Sequence, residues 1–202
     1  MPPRALVLLV ALSACNPDLE PVVGDPDAPV PVTSLSWTFD ADLQGWAVTD
    51  GSPAGTLNAT LASWNGATGQ PAPGSARLDL PFVGPGEQVM FGLAPTHLDL
   101  TGRVIRIGVQ LDSGLTGDPT WPVGAQVYAF SSAYYVWANG PWVMLLTPGE
   151  WAVAELAIDA PDVAFDGFDG SDIHEFGLQI ATGEATAVTP GTVLVDSVSI
   201  GP

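Results

Sequence analysis

From residue 34 to the C-terminus, short apolar or alternating segments are separated by clusters of Gly, Pro, Asp and Asn. No stretch sustains the 3.6-residue period of an amphipathic helix, and this combination predicts an all-β protein. The predicted strands are residues 34–39, 45–49, 56–63, 75–81, 88–94, 103–112, 124–130, 134–138, 151–158, 173–182 and 192–200. About ten short strands of this kind fit a two-sheet antiparallel β-sandwich of the jelly-roll type.

Alternation within three of these segments predicts which side chains face away from the core. Successive side chains of a strand point to opposite sides, and in each of the three segments the apolar residues occupy every second position. The polar side chains on the opposite faces are those of Arg106, Gln110, Gln126 and Gln179. The pattern therefore predicts that each of three strands presents a glutamine on the side away from the core.

The first fifteen residues have the features of an export signal. Arg4 supplies a positive charge, and the apolar run 5–12 is too short to span a bilayer, which takes about 20 residues. The motif L-S-A-C at 12–15 resembles the lipobox of bacterial lipoproteins, and Cys15 is the only cysteine in the chain. The resemblance implies that residues 1–14 are removed and that acyl chains on Cys15 hold the protein in a membrane. The alternative is an ordinary signal peptide followed by an incidental cysteine.

The segment that follows the predicted lipid anchor is rich in proline and acidic residues. Residues 15–33 are therefore predicted to form an extended, semi-rigid tether. Residues 34–202 have enough length for one β-sandwich domain with a core of its own. We expect the mature protein in the cell envelope, anchored to the outer membrane or the cell surface.

The charge of the chain excludes several classes of partner. Its formal net charge is −18, and once Arg4 has left with the signal peptide the basic side chains are Arg77, Arg103 and Arg106. Binding of nucleic acid needs clustered Lys and Arg to neutralise phosphates, so nucleic acids and other acidic polymers are excluded. Neutral ligands and cations remain as candidate partners, and the predicted membrane contact is made by the acyl chains alone.

Aromatic residues are concentrated in one segment, residues 120–142. They are Trp121, Tyr128, Tyr134, Tyr135, Trp137 and Trp142. The apolar CH faces of sugar rings stack on aromatic rings, and sugar hydroxyls pair with amides and carboxylates, so this segment beside the glutamines favours a site for a neutral glycan. The alternative is that these rings pack in the core, because aromatic side chains bury large apolar areas.

Six short motifs follow one another in an order known from a protein family. They are F-D-A-D-L-Q-G-W at 39–46, G-S-A-R-L at 74–78, D-L-T-G-R at 99–103, T-P-G-E-W at 147–151, F-G-L-Q-I at 176–180 and V-L-V-D-S-V at 193–198. In order and spacing the chain resembles carbohydrate-binding modules with the galactose-binding-like jelly roll. The resemblance covers nearly all of residues 35–200 and implies a non-catalytic module that binds a neutral polysaccharide.

On this interpretation, sugar would be bound by aromatic rings, amides and one arginine on a concave sheet face. The predicted residues are Arg106, Gln110, Gln126, Tyr128, Tyr135, Trp137, Trp142 and Gln179. The alternative function is that of a structural or protein-interaction lipoprotein, which keeps the same sandwich, has no sugar site and acts through a protein partner.

Asp196 suggests a structural cation. It falls among apolar residues of one face in the last predicted strand, where a carboxylate is costly unless it is paired or bound to metal. Ca²⁺ is a plausible partner because it takes oxygen ligands and the chain has few basic residues. The family resemblance implies that the ligands are Asp40, Asp196 and backbone carbonyls, with Asp42 as a further candidate. The alternatives are a bulge that turns Asp196 to water, or a hydrogen-bonded carboxylate.

No motif in the sequence marks a catalytic site, and we expect that the protein is not an enzyme. A glycoside hydrolase would need two carboxylates about 5–9.5 Å apart in a deep cleft, and no motif identifies such a pair. The two histidines, His97 and His174, lack the spacing of a zinc motif and are predicted to be surface or turn residues. The acidic segment 162–175 is predicted to be a solvated loop.

Overall fold

The computed structural model describes residues 28–49, 60–95, 97–115, 122–132 and 134–202. Within these ranges every regular element is a strand, and no helix is long and apolar enough to cross a membrane. The strands are β1 (Val30–Pro31), β2 (Leu35–Trp37), β3 (Ala47–Val48), β4 (Leu61–Asn65), β5 (Ser75–Leu80), β6 (Gln88–Leu93), β7 (Leu98–Asp99), β8 (Val104–Ser113), β9 (Gly124–Ser131), β10 (Val136–Asn139), β11 (Val143–Met144), β12 (Trp151–Ala157), β13 (Val163–Ala164), β14 (Ile173–Ala181) and β15 (Gly191–Gly201).

Two sheets form the sandwich. Sheet A has the order β3-β6-β14-β9-β10-β13, with β7 on one end of β14, β1 beside β7, and β11 on β9. Sheet B has the order β12-β8-β15-β5-β4, with β2 on β15. All pairs are antiparallel except that between β1 and β7. The predicted all-β, two-sheet antiparallel sandwich is confirmed.

The core fills the space between the two sheets. In β8, β9 and β14, the alternate residues that the sequence pattern assigns to the inside are buried, as predicted. Trp46 packs its ring at 5.6–5.9 Å from Phe91, Phe176 and Phe39, so one indole connects β6 and β14 to the loop before β3. Burial of such large apolar surfaces is the main stabilising contribution to a sandwich of this kind.

The sandwich includes the last residues of the segment predicted as a tether. Val30 donates its amide to the carbonyl of His97 at 2.7 Å, and Arg103 donates to the carbonyl of Val32 at 2.9 Å. These bonds satisfy backbone groups at the edge that β7 presents. The predicted lipid anchor, Cys15, and the signal peptide 1–14 lie outside the described residues.

Candidate functional site

A row of amide side chains crosses the outer face of sheet A, the face that points away from the core. Trp137 donates from Nε1 to Asn139 Oδ1 at 2.7 Å, and Asn139 donates from Nδ2 to Gln126 Oε1 at 3.1 Å. Gln126 then donates to Gln179, and Gln179 donates to Gln88 Oε1 at 2.6 Å. Asn139, Gln126 and Gln179 each donate to the next amide in the same direction, and Gln88 accepts at the end of this row, which we call the amide ladder. Because Asn139 and Gln179 are buried, these hydrogen bonds satisfy polar groups that would be costly to leave unpaired.

Aromatic rings stand beside the amide ladder. Tyr128 and Trp137 are stacked with their planes 3° apart and their centroids 5.4 Å apart. Phe130 meets Trp137 at 5.2 Å and Tyr135 at 5.4 Å in edge contacts. Tyr128 is fully buried, whereas Tyr135 is 56% exposed. We call Phe130, Tyr135 and Trp137 the aromatic wall.

A buried hydrogen bond joins Tyr128 to a carboxylate on the next strand. Its hydroxyl donates to Glu175 Oε1 at 2.6 Å and lies 3.4 Å from Thr49 Oγ1. Burial raises the pKa of Tyr128 well above its ordinary value, and the negative charge of Glu175 raises it further. The phenol therefore stays protonated and remains a donor. Glu175 itself is only 5% exposed.

Two glycines, Gly92 and Gly177, keep the space in front of Tyr128 and Glu175 free of side chains. A Cβ atom on Gly92 would lie 2.6 Å from the Tyr128 hydroxyl and would overlap the carbonyl of Phe176. A Cβ atom on Gly177, the β14 residue paired with Gly92, would overlap the carbonyl of Phe91. These two positions therefore exclude side chains, and the sheet is bare where β6 and β14 meet.

Gly92 of the bare floor, Phe130 and Tyr135 of the aromatic wall, and Glu175 line one cleft of about 730 Å³. This volume lies in the range of small-molecule sites, about 300–1,000 Å³. The residues that line the cleft include Ala47, Thr49, Gly92, Phe130, Tyr135 and Glu175. The cleft thus offers apolar ring faces on one side and oxygen acceptors on the other.

Solved structures of known proteins share this architecture. The CBM22-1 xylan-binding domain of Paenibacillus barcinonensis Xyn10C has a TM-score of 0.51 at 14% identity, over 83% of this chain and 92% of that one. The family 11 carbohydrate-binding module of Clostridium thermocellum, in complex with a β-1,3-1,4-mixed-linked tetrasaccharide, has a TM-score of 0.53 at 10% identity, over 84% and 96%. The chain shares the two-sheet β-sandwich fold of these structures. No protein-family model matches the chain, and no curated protein matches it.

Two of the predicted sugar-binding residues, Arg106 and Gln110, lie on the sheet opposite the cleft. Arg106 and Gln110 belong to β8 in sheet B, so they face away from the sandwich on the side opposite the amide ladder. Arg106 pairs with Glu155 at 3.0 Å, and Gln110 donates to the carbonyl of Gly149 at 2.7 Å. Their predicted placement beside Gln126 is wrong because alternation gives the face of a strand but not the sheet to which it belongs.

The other predicted residues do lie on sheet A or its edge. Gln126 and Gln179 meet in the amide ladder, and Tyr135 and Trp137 belong to the aromatic wall. Tyr128 faces the same side but is buried. Trp142 covers Gly124, where a Cβ atom would lie 2.5 Å from its Nε1, so it sits at the end of β9 away from the cleft. Trp121 lies outside the described residues.

Sequence reasoning missed several residues of the site. Phe130 and Glu175 could have been predicted from the sequence. Phe130 lies on the same face of β9 as Gln126, and Glu175 lies on the same face of β14 as Gln179. Asn139 and Gln88 complete the amide ladder through pairing partners that no sequence pattern identifies. Thr49 reaches the site only because β3 pairs with β6 at the sheet edge.

Asp196, the predicted cation ligand, is a buried carboxylate that accepts two backbone hydrogen bonds. It is 1% exposed, and it accepts from the amides of Gln70 and Ser197, each at 2.6 Å. Burial raises the pKa of Asp196 above its ordinary value, and the nearby charge of Asp40 raises it further. Of the alternatives left open by the sequence, the hydrogen-bonded carboxylate describes this geometry.

The three carboxylates considered for Ca²⁺ do not form a compact group of three ligand atoms. Asp40 accepts from the Thr38 hydroxyl at 2.7 Å, and Asp42 accepts from the Gln44 amide at 2.7 Å. Among the described residues, Asp40, Asp42 and Asp196 do not bring three ligand atoms within 4.8 Å of one another. A Ca²⁺ held by Asp40, Asp196 and backbone carbonyls, with Asp42 as a further candidate, stays a prediction.

Proposed function

We propose that the protein is a non-catalytic carbohydrate-binding lipoprotein and that a neutral polysaccharide binds in the cleft on sheet A. The observation that carries the proposal is the meeting of the aromatic wall with the Glu175 carboxylate over a floor without side chains. Aromatic rings can stack on the CH faces of a sugar, while Glu175 and Thr49 accept hydrogen bonds from its hydroxyls. The fold shared with xylan-binding and glucan-bound modules supports this proposal.

The charge and the carboxylates of the cleft support binding without catalysis. With a net charge of −18 the protein repels anionic polymers, which favours a neutral glycan. Hydrolysis of a glycosidic bond needs a pair of carboxyl groups on either side of that bond. Among the described residues that line the cleft, Glu175 is the only acidic one.

The test is retention of the purified chain by a panel of neutral polysaccharides that includes xylan and mixed-linked β-1,3-1,4-glucan. Removal of the exposed ring of Tyr135 by substitution with alanine is expected to weaken binding about 10-fold, which corresponds to about 1.4 kcal/mol. The matched control is Tyr134→Ala, because Tyr134 is 90% exposed and does not line the cleft. The Tyr134→Ala variant should bind polysaccharide with the same affinity as the unmodified chain. A folded protein that no neutral polysaccharide retains would refute the proposal.

The second candidate function is binding of another protein, which exposed apolar side chains on the surface favour. Met144 on β11 and Leu146 just after it are each more than half exposed, and both line a surface pocket beside Trp151 of β12. Apolar side chains gathered at a surface commonly mark a contact with another protein. This candidate replaces the first if the polysaccharide panel is negative, and cross-linking in intact envelopes would then identify the partner.

Anchoring at the membrane is part of the proposal and rests on Cys15. Each buried methylene contributes about 0.8 kcal/mol, so acyl chains on this residue would hold the protein at a bilayer stably. In bacteria, Cys15→Ser is expected to abolish incorporation of labelled palmitate and to move the protein from the membrane fraction to the aqueous one. Glycan binding by this variant should be unchanged. Undiminished incorporation of labelled palmitate by Cys15→Ser would contradict lipid anchoring at this residue.

A further inference from the structure

Two histidines and one aspartate meet at the end of β14, away from the amide ladder. His97 Nδ1 lies 2.9 Å from Asp172 Oδ1, and His174 Nε2 lies 3.1 Å from the same oxygen. The two imidazole rings are 4.2 Å apart. One donor atom from each side chain falls within 4.8 Å of the other two, and this is the only such group of three among the described residues. We call it the His-Asp-His cluster.

The separations match the edges of a tetrahedral metal site. Zinc binds imidazole nitrogen at about 2.0–2.1 Å and carboxylate oxygen at about 2.0–2.2 Å. Two ligands at such distances in tetrahedral geometry are about 3.3 Å apart. The separations of 2.9 and 3.1 Å from Asp172 Oδ1 are close to this value, and the two imidazole nitrogens lie within 4.8 Å of each other.

The backbone directs all three side chains to one point. A β-bulge between Ile173 and Glu175 inserts His174 into β14 as an extra residue, which breaks the alternation that would otherwise govern its direction. His97 has a φ of 47°, in the left-handed region. The carbonyl of Asp172 accepts the amide of Ser132, which holds the loop before β14 against the end of β9.

The donor set selects the class of metal. Two imidazole nitrogens and one carboxylate oxygen suit zinc and neighbouring transition metals, whereas Ca²⁺ and Mg²⁺ prefer ligand sets made of oxygen atoms. All three side chains are partly exposed, so a metal can reach them and water can complete the coordination. Three protein ligands with one open position are a common arrangement for zinc.

We propose that the His-Asp-His cluster binds one Zn²⁺ through His97 Nδ1, His174 Nε2 and Asp172 Oδ1. The ion would connect the residue before β7 to the bulge of β14. Because β7 pairs with β1, the strand at the end of the predicted tether, the metal would reinforce the attachment of these two short strands to β14 within sheet A. This site is separate from the three carboxylates considered for Ca²⁺ and does not depend on glycan binding.

The test is titration of the EDTA-treated full chain with Zn²⁺ by calorimetry, and with Co²⁺ by visible absorption. The chain carries Cys15→Ser so that its thiol cannot bind the metal. We expect one Zn²⁺ per chain, a higher melting temperature with Zn²⁺, and visible Co²⁺ bands of a tetrahedral site. His97→Ala, His174→Ala and Asp172→Asn should each weaken Zn²⁺ by at least about 10–100-fold, the loss that even outer-shell changes cause. Asp166→Asn, in the same acidic loop, is the control and should bind Zn²⁺ unchanged.

Two results would overturn the proposal. The first is no saturable binding of Zn²⁺ by the folded chain. The second is one-to-one binding that His97→Ala and His174→Ala both retain. The rise in melting temperature on addition of Zn²⁺ is compared within each variant, so a variant that is merely less stable can still be scored. A rise in the unmodified chain that is absent from both histidine variants supports the site.

Discussion

Replacement of Asp196 with alanine is expected to lower the free energy of unfolding by about 3 kcal/mol. The carboxylate accepts from the amides of Gln70 and Ser197, and a hydrogen bond to a charged group contributes about 1.5–3 kcal/mol. Removal of the side chain leaves both amides without this acceptor, at a site where Asp196 is 1% exposed. Urea unfolding measures the loss. Asp162→Ala, an exposed acid, is the control and should change stability by no more than about 0.5 kcal/mol.

The same carboxylate should give the stability a characteristic pH dependence. Burial raises the pKa of Asp196 above 3.8, so as pH rises past that value the unfolded chain loses its proton first. The folded chain then binds more protons than the unfolded chain, and the free energy of unfolding falls until the folded pKa has been passed. Asp196→Asn lacks this titration. The stability of the unmodified chain relative to Asp196→Asn should therefore fall from about pH 4 upward, and a rise over that window would contradict the assigned direction.

These measurements also test the Ca²⁺ prediction. If Asp196 is satisfied by its two backbone amides alone, EDTA will leave the melting temperature of the unmodified chain unchanged once the His-Asp-His cluster has been removed by His174→Ala. If Asp40 and Asp196 hold Ca²⁺, added Ca²⁺ will raise the melting temperature of that background, and Asp196→Asn will abolish the rise. The background variant is needed because EDTA also removes zinc.

The sequence predicts the layers of this fold better than it predicts its edges. The long strands β8, β9 and β14 were found because apolar residues recur at every second position over many residues. The strands β1, β7, β11 and β13 have only two residues each, too few for a period to be seen. These short strands form because backbone N–H and C=O groups at the sheet edges hydrogen-bond to the neighbouring segment of the same chain.

Only part of the candidate site could be predicted, because the site depends on pairing between strands far apart in the chain. Gln126 and Gln179 were placed on an outer face correctly, and their direct contact follows from the pairing of β9 with β14. Arg106 and Gln110 have the same alternation but belong to the other sheet. His97 and His174 are separated by many residues, so no local spacing could indicate the cluster that the pairing of Leu98 with Ile173 brings together.

The largest loss of glycan affinity is expected from Glu175→Ala, about 100-fold. Glu175 lines the cleft as its one described acidic residue, and a hydrogen bond between a sugar hydroxyl and a carboxylate contributes about 1.5–3 kcal/mol, or about 10–100-fold in affinity. The substitution also removes the acceptor of the Tyr128 hydroxyl, whose ring supports Trp137 in the aromatic wall. Glu175→Gln keeps an acceptor oxygen for both partners and should lose only about 10-fold.

Tyr128→Phe separates the two contributions of Glu175. It removes the same internal hydrogen bond but leaves the carboxylate in the cleft and the ring stacked on Trp137. If Glu175 contacts the glycan, Tyr128→Phe should bind within a few-fold of the unmodified chain while Glu175→Ala binds about 100-fold more weakly, as measured by affinity electrophoresis. Equal losses in the two variants would mean that Glu175 acts only by positioning Tyr128. Unchanged binding by Glu175→Ala would contradict a hydrogen bond between the glycan and this carboxylate.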